Sequence, residues 1–312
     1  MLAVAATLGA APAASQSPDS LVAQLGATDW QRRGDAIARL NLLPVEALPP
    51  TFAPTAIALL EREATNPDPG PREGEGYGEY LIAVMSGVVR LQDPRSLRGL
   101  ALLGIQMSRG AQEYVASQGA PSLPFLDEAW ARSQSDAVAT TWAYMLGRYA
   151  TALSRPERLQ VIARLVAVLP DNSRAFTWAA VMGPLPEAVP LVEMVATGDA
   201  RPETRQAGIR ALASLRPVRD RLSSREVLQR VSDWLDAFCW SATGARGDAC
   251  KMLSVSLTNA TSQVESRGLT GTRIALEDLV RQARTARAAG GLRDIEEHFI
   301  VGNAEYLSTR PQ

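Results

Sequence analysis

Carboxylates are the side chains best placed by number and spacing to do chemistry in this chain. Glu61 with Glu63, Asp127 with Glu128, and Glu277 with Asp278 stand adjacent or alternate along the sequence. Two carboxylates about 6.5–9.5 Å apart could serve as the acid and base of an inverting glycosidase, an activity that helical toroids can host. Adjacent acids on a helix more commonly point into solvent, and a sugar groove also needs aromatic platforms. Trp30, Trp130, Trp142, Trp178 and Trp234, five of the six tryptophans, sit on apolar stripes and read as core. The paired-carboxylate enzyme therefore stands only as an alternative, and no catalytic residue is assigned.

Other catalytic patterns are excluded more firmly. His298 is the only histidine, which removes His-x-x-x-His zinc motifs and multi-histidine metal clusters. Preceded by Glu296 and Glu297 late in an amphipathic helix, it reads as a solvated residue rather than a base beside a nucleophile. No G-x-S-x-G elbow occurs, and Lys251, the single lysine, follows no G-x-x-x-x-G phosphate loop. Gly70, Gly74, Gly76 and Gly78 form a loop interrupted by Pro69 and Pro71, with no strand before it. The sequence offers no cofactor or metal site.

Between Arg201 and Arg230 lie eight arginines against three acids. Arg201, Arg205, Arg210, Arg216, Arg219, Arg221, Arg225 and Arg230 could form a basic ridge for an anionic partner. Nucleic acid is an alternative if the chain is not exported. The absence of interleaved aromatics and a formal net charge of −1 speak against it. Outward-facing, solvated arginines are the plainer reading. Cys239 and Cys250 flank the segment CWSATGARGDAC, whose Gly, Ser and Thr let it bend back. In an oxidising compartment they would close a disulfide worth about 3 kcal/mol in loop entropy. The tripeptide Arg246-Gly247-Asp248 inside that segment and the sequon Asn259-Ala260-Thr261 are short enough to arise by chance.

The elements that carry these residues read as helices. The chain has 312 residues, 46% apolar and only 5% aromatic, with Ala and Leu dominating the apolar set, a composition that favours helix over strand. Residues 1–15, MLAVAATLGAAPAAS, form a short apolar run ending in Ala11-Pro12-Ala13. They fit the apolar core and cleavage site of a secretory signal peptide, without its usual basic start. No other stretch approaches the ~20 apolar residues of a membrane span.

Ser17 with Pro18, and Asp29, supply N-caps for helices running to Leu25 and about Leu40. Asp93 with Pro94 repeats the pattern, and Gly104 is placed to end that helix at positive φ. Ser154 with Glu157 and Ser223 with Glu226 are capping boxes. Leu159, Ile162, Leu165, Val166 and Leu169 make one apolar stripe, and Ile274, Leu279, Val280 and Ala283 another, with Glu277 and Arg281 paired on its exposed side. No alternation of period two extends beyond a few residues, so the chain is expected to be all-α.

Prolines recur in pairs before apolar helices: Pro50 and Pro54, Pro121 and Pro124, Pro186 and Pro190. Such spacing is close to two units of a helical hairpin repeat. A hairpin apolar on one side must stack on its neighbours, which produces a curved solenoid. The segments DWQRRGDAIARLNLLP, DPRSLRGLALLG and RPETRQAGIRALASL resemble HEAT or HEAT-like repeats over roughly residues 18–216. That resemblance implies a scaffold for protein–protein contact with no conserved catalytic residues. After Arg216 the rhythm changes.

The expected organisation is a signal peptide (1–15), a HEAT-like α-solenoid of stacked helical hairpins (16–216) and a C-terminal helical cap or bundle (217–312). The expected function is a non-catalytic interaction scaffold, periplasmic or secreted, that takes a protein partner on the concave solenoid surface. The 66–78 loop, NPDPGPREGEGYG, would protrude from one edge and gate that surface.

Overall fold

A computed structural model describes residues 16–65, 76–266 and 269–310. The expected signal peptide and residues 66–75 of the Pro- and Gly-rich loop lie outside the described residues. Every regular element among the described residues is helical, and none is a strand. No described helix is long and apolar enough to cross a membrane.

Contacts divide the chain into two compact units, one through Ala111 and one from Gln112 onward. The first holds α1 (Pro18–Gln24), α2 (Trp30–Asn41), α3 (Phe52–Thr65), α4 (Tyr77–Leu91), α5 (Leu97–Gly99) and α6 (Ile105–Met107). Ser17 and Asp29 cap α1 and α2 by accepting from the backbone N–H groups of Ser20 and Gln31, as their side chains predict. α2 packs on α1 and α4, and α3 on α4 and α5. Gly104 departs from expectation. It sits at φ −63° inside a continuous run, at the end of a π-helical turn Leu100–Gly104. A Cβ there would lie 2.9 Å from Leu100 Cδ2 and 3.2 Å from Ala111 Cβ, so the glycine serves close packing rather than chain reversal.

The boundary between the units falls within α7 (Arg109–Ser117). The second unit continues with α8 (Leu123–Ser133), α9 (Asp136–Gly147), α10 (Arg155–Val168), α11 (Ser173–Met182), α12 (Val189–Gly198) and α13 (Pro202–Arg221). It closes with α14 (Ser224–Phe238), α15 (Gly244–Glu265), α16 (Leu269–Ala288) and α17 (Asp294–Thr309). Two proline pairs have the same local form. Pro121 and Pro186 lie in 3-10 turns, Ala120–Ser122 and Pro186–Ala188, and Pro124 and Pro190 are the second residues of α8 and α12. Both capping boxes form, at Ser154/Glu157 on α10 and Ser223/Glu226 on α14.

From α8 to α13 each helix touches the next, and α9, α11 and α13 also form a ladder of direct neighbours. Glycine makes that ladder tight: a Cβ on Gly147 would sit 1.6 Å from the carbonyl oxygen of Gly183. α14 to α17 pack consecutively, and α17 returns against α14 and α12. The change of rhythm at Arg216 does not coincide with a break. α13 runs through Pro217 to Arg221, and residues 217–312 group with 112–216 in one compact unit.

Two details of α16 also differ from the sequence reading. Ile274 is exposed, and the buried stripe is Ala275, Leu276, Leu279, Ala283 and Ala286. Arg281 pairs with Asp278, while Glu277 pairs with Arg273 at 3.5 Å. Both i,i+3 and i,i+4 partners are within reach on a helix, and the neighbouring helices α15 and α17 decide which face turns inward.

Candidate functional site: a groove between α11 and α13

The ladder leaves a groove of about 470 Å³ between α11 and α13, reaching the start of α9. Its α13 wall is lined by small residues, Ala207, Ala211 and Ser214, which is why the two helices leave a furrow. Arg174, Thr177, Trp178 and Val181 line the α11 side, with Arg210 from α13 and Asp136 from α9. The sequence reading placed Trp178 in the core, but its side chain is 53% exposed. The helical wheel explains this. At about 100° per residue, Trp178 lies roughly 130° from the centre of the buried arc of Ala175, Phe176, Ala179 and Ala180, and about 40° from Arg174.

The groove has three further properties. Neither Arg174 nor Arg210 forms an ion pair with any described residue, Asp136 included. Arg174 is the second residue of α11, a position where a cation opposes the helix dipole. Thr177 is 2% exposed, yet its hydroxyl has no hydrogen-bond partner among the described residues. Covering the exposed half of a tryptophan would return roughly 2–3 kcal/mol at ~25 cal/mol per Å².

The other arginines of the expected ridge are mostly engaged within the protein. Arg201 pairs with Asp199 at 3.2 Å and donates to Ser173 Oγ at 3.0 Å; these bonds and that from Ser173 hold the Asp199 carboxyl far below the usual range. Arg205 donates to the carbonyl oxygens of Asp199 and Ala200. Arg216 pairs with Glu193 at 2.9 Å, Arg225 with Glu265 at 3.2 Å and Arg230 with Glu187 at 3.3 Å. Arg219 is buried with its guanidinium 3.8 Å from the Tyr306 ring centroid, and burial pushes its pKa down. Arg221 is exposed. Of the eight, only Arg210 lines the groove.

The carboxylates named from sequence are likewise engaged. Glu61 pairs with Arg98, Glu63 with Arg33, Asp127 with Arg164 through two 2.6 Å bonds, and Glu128 with Arg132. Two acids that the sequence did not single out, Glu187 and Asp233, line one crevice of about 300 Å³ with Arg158, Arg230 and Trp234. Burial raises the Glu187 carboxyl despite Arg230 and a hydrogen bond from Trp234, and raises Asp233 against Arg158. No sequence motif marks this pair, because residues about 46 positions apart meet only when α14 docks on the turn before α12. Arg230 lies 3.3 Å from Glu187 and Arg158 3.5 Å from Asp233.

Cys239, the C-cap of α14, forms a disulfide with Cys250 in α15, with Cα atoms 5.7 Å apart. The Arg-Gly-Asp tripeptide is part of α15 rather than a displayed loop. Arg246 is locked by Glu296 at 2.5 and 2.9 Å and by the Phe238 carbonyl oxygen at 2.6 Å. His298 is exposed, and Asn259 is an exposed helical residue. Among the described residues no group of three or more His, Cys, Asp or Glu is placed to hold a metal ion. No protein-family model, curated protein or solved structure matches the chain.

Proposed function

We propose that this chain is a non-catalytic interaction scaffold, exported to a periplasm or beyond, that holds a protein partner on the face built by α9, α11 and α13. The ordered contacts from α8 to α13 are those expected of stacked HEAT-like hairpins. The Cys239–Cys250 disulfide suits an oxidising compartment. The observation that carries the reading is Trp178, a half-exposed tryptophan that lines a groove together with two arginines. Tryptophan and arginine are the residue types that most often dominate binding energy at protein interfaces.

The nucleic-acid alternative loses its main support because the basic stretch spends its charge on Asp199, Glu193, Glu265 and Glu187. Site-specific photocrosslinking tests the scaffold reading. A benzophenone amino acid at position 178 should yield a discrete protein adduct in an envelope extract. The same group at Leu42, an exposed apolar residue at 85%, should not. Equal labelling at both positions, or none at 178, would remove the proposal.

A further inference from the structure

Building on the scaffold reading, we infer that the α11–α13 groove recognises a carboxylate-bearing peptide segment of the partner, with an apolar side chain against Trp178 and Val181 and an acid between Arg174 and Arg210. Charge decides the occupant. Arg164 on α10, Arg201 at the N-cap of α13 and Arg216 within α13 each have a carboxylate partner within the chain. Arg174 and Arg210 have none among the described residues, and the one acid described in the groove lining is Asp136. The charged lining therefore sums to about +1, enough to select an acid but short of a track for a phosphate backbone.

Position adds to charge. Arg174 stands at the positive end of α11, a ten-residue helix, so the two electropositive sources reinforce one another. A carboxylate arriving there would answer both. Thr177, buried and without a partner for its hydroxyl, lines the same groove and has a hydrogen bond to give. The volume of about 470 Å³ is the size of a site for a short segment of chain, not for a folded surface. Asp136 begins α9, where its charge favours that helix, and it would set the polarity of the segment by repelling an acid from its own end.

The test uses isotope-labelled full-length protein and a ten-residue, end-blocked peptide of glutamates with one leucine and one phenylalanine. The Trp178 indole resonance, identified by its loss in Trp178→Phe, should shift saturably with the peptide. Affinity should fall at least ten-fold in the Arg174→Gln/Arg210→Gln double variant. It should be largely kept in Arg174→Lys/Arg210→Lys, which preserves charge and guards against a folding artefact. Arg225→Gln, whose partner Glu265 lies elsewhere, should bind normally. The inference is overturned if a glutamine-for-glutamate peptide binds equally, if the double variant binds unchanged, or if the indole does not move. Displacement of the peptide by a short oligonucleotide at lower concentration would assign the groove to polyanions instead. A crosslink at position 178 that persists when the acidic peptide fails to bind would remove the carboxylate and keep the scaffold.

Discussion

Arginine is used in opposite ways in two regions of this molecule. In the first unit Arg33 is buried, with Glu63 beside it at 3.0 Å. Nothing there is left open. Arg33 Nε donates to Tyr80 Oη at 2.8 Å, its Nη1 donates to the carbonyl oxygens of Ala27 and Thr28, and both Tyr77 and Tyr80 hydroxyls donate to Glu63. Burial, partly offset by Arg33, pushes the Tyr80 hydroxyl up to about 12, so it remains a donor across the ordinary pH range. In the second unit Arg174 and Arg210 face an open groove with no partner among the described residues. The contrast follows from solvation. A buried charge without a partner costs several kcal/mol, so the fold must close the Arg33 network. An exposed arginine carries no such penalty, so open cations beside a half-exposed tryptophan are not something the fold requires.

The sharpest way to break the comparison is to open the closed network. Arg33→Met should strand the Glu63 carboxylate and cost about 3–5 kcal/mol in chemical denaturation, concentrated in the first unit. Next in size is Cys239→Ser/Cys250→Ser, which should lose about 3 kcal/mol of loop-closure stabilisation; reduction of the native protein should give the same loss.

The two buried glutamates of the second unit should respond to pH in opposite directions. Burial alone would raise Glu296, but hydrogen bonds from Arg246 and Arg293 outweigh it and lower its pKa. Its contribution is present above its unfolded value of about 4.3 and is lost as pH falls through the lower folded value. Glu187 is raised by burial, so its contribution is present below about 4.3 and lost as pH rises through the folded value. Because glutamine mimics the protonated acid, unfolding curves of both glutamine variants should track the native protein near pH 3 and part from it as pH rises towards 8, Glu296→Gln becoming less stable than native and Glu187→Gln more stable. Smallest of all should be Arg174→Gln and Arg210→Gln, each within about 0.5 kcal/mol of the native stability.

What could be read from sequence was local. Ser17, Asp29, Ser154 with Glu157, and Ser223 with Glu226 cap their helices because a cap needs only three or four neighbouring residues. Cys239 and Cys250 were the only cysteines available to each other. What failed depended on docking. Ile274 was assigned inward by spacing, yet α16 turns Ala275 and Leu276 to its neighbours instead. The arginines of 201–230 looked like a ridge because their acids, Glu187, Glu193, Asp199 and Glu265, lie outside that window. Trp178 is the instructive miss. Its wheel position opposite Phe176 was already in the sequence, but a lone tryptophan in an Ala-rich helix invites assignment to the core.

The central claim is that Trp178 and the arginines that share its groove serve binding rather than folding. Trp178→Ala, measured for both unfolding free energy and acidic-peptide affinity, tests it most directly. The account predicts stability within about 1 kcal/mol of the native protein, as for an exposed side chain, together with loss of most peptide binding. A loss of several kcal/mol in stability, or an affinity left unchanged, would contradict it.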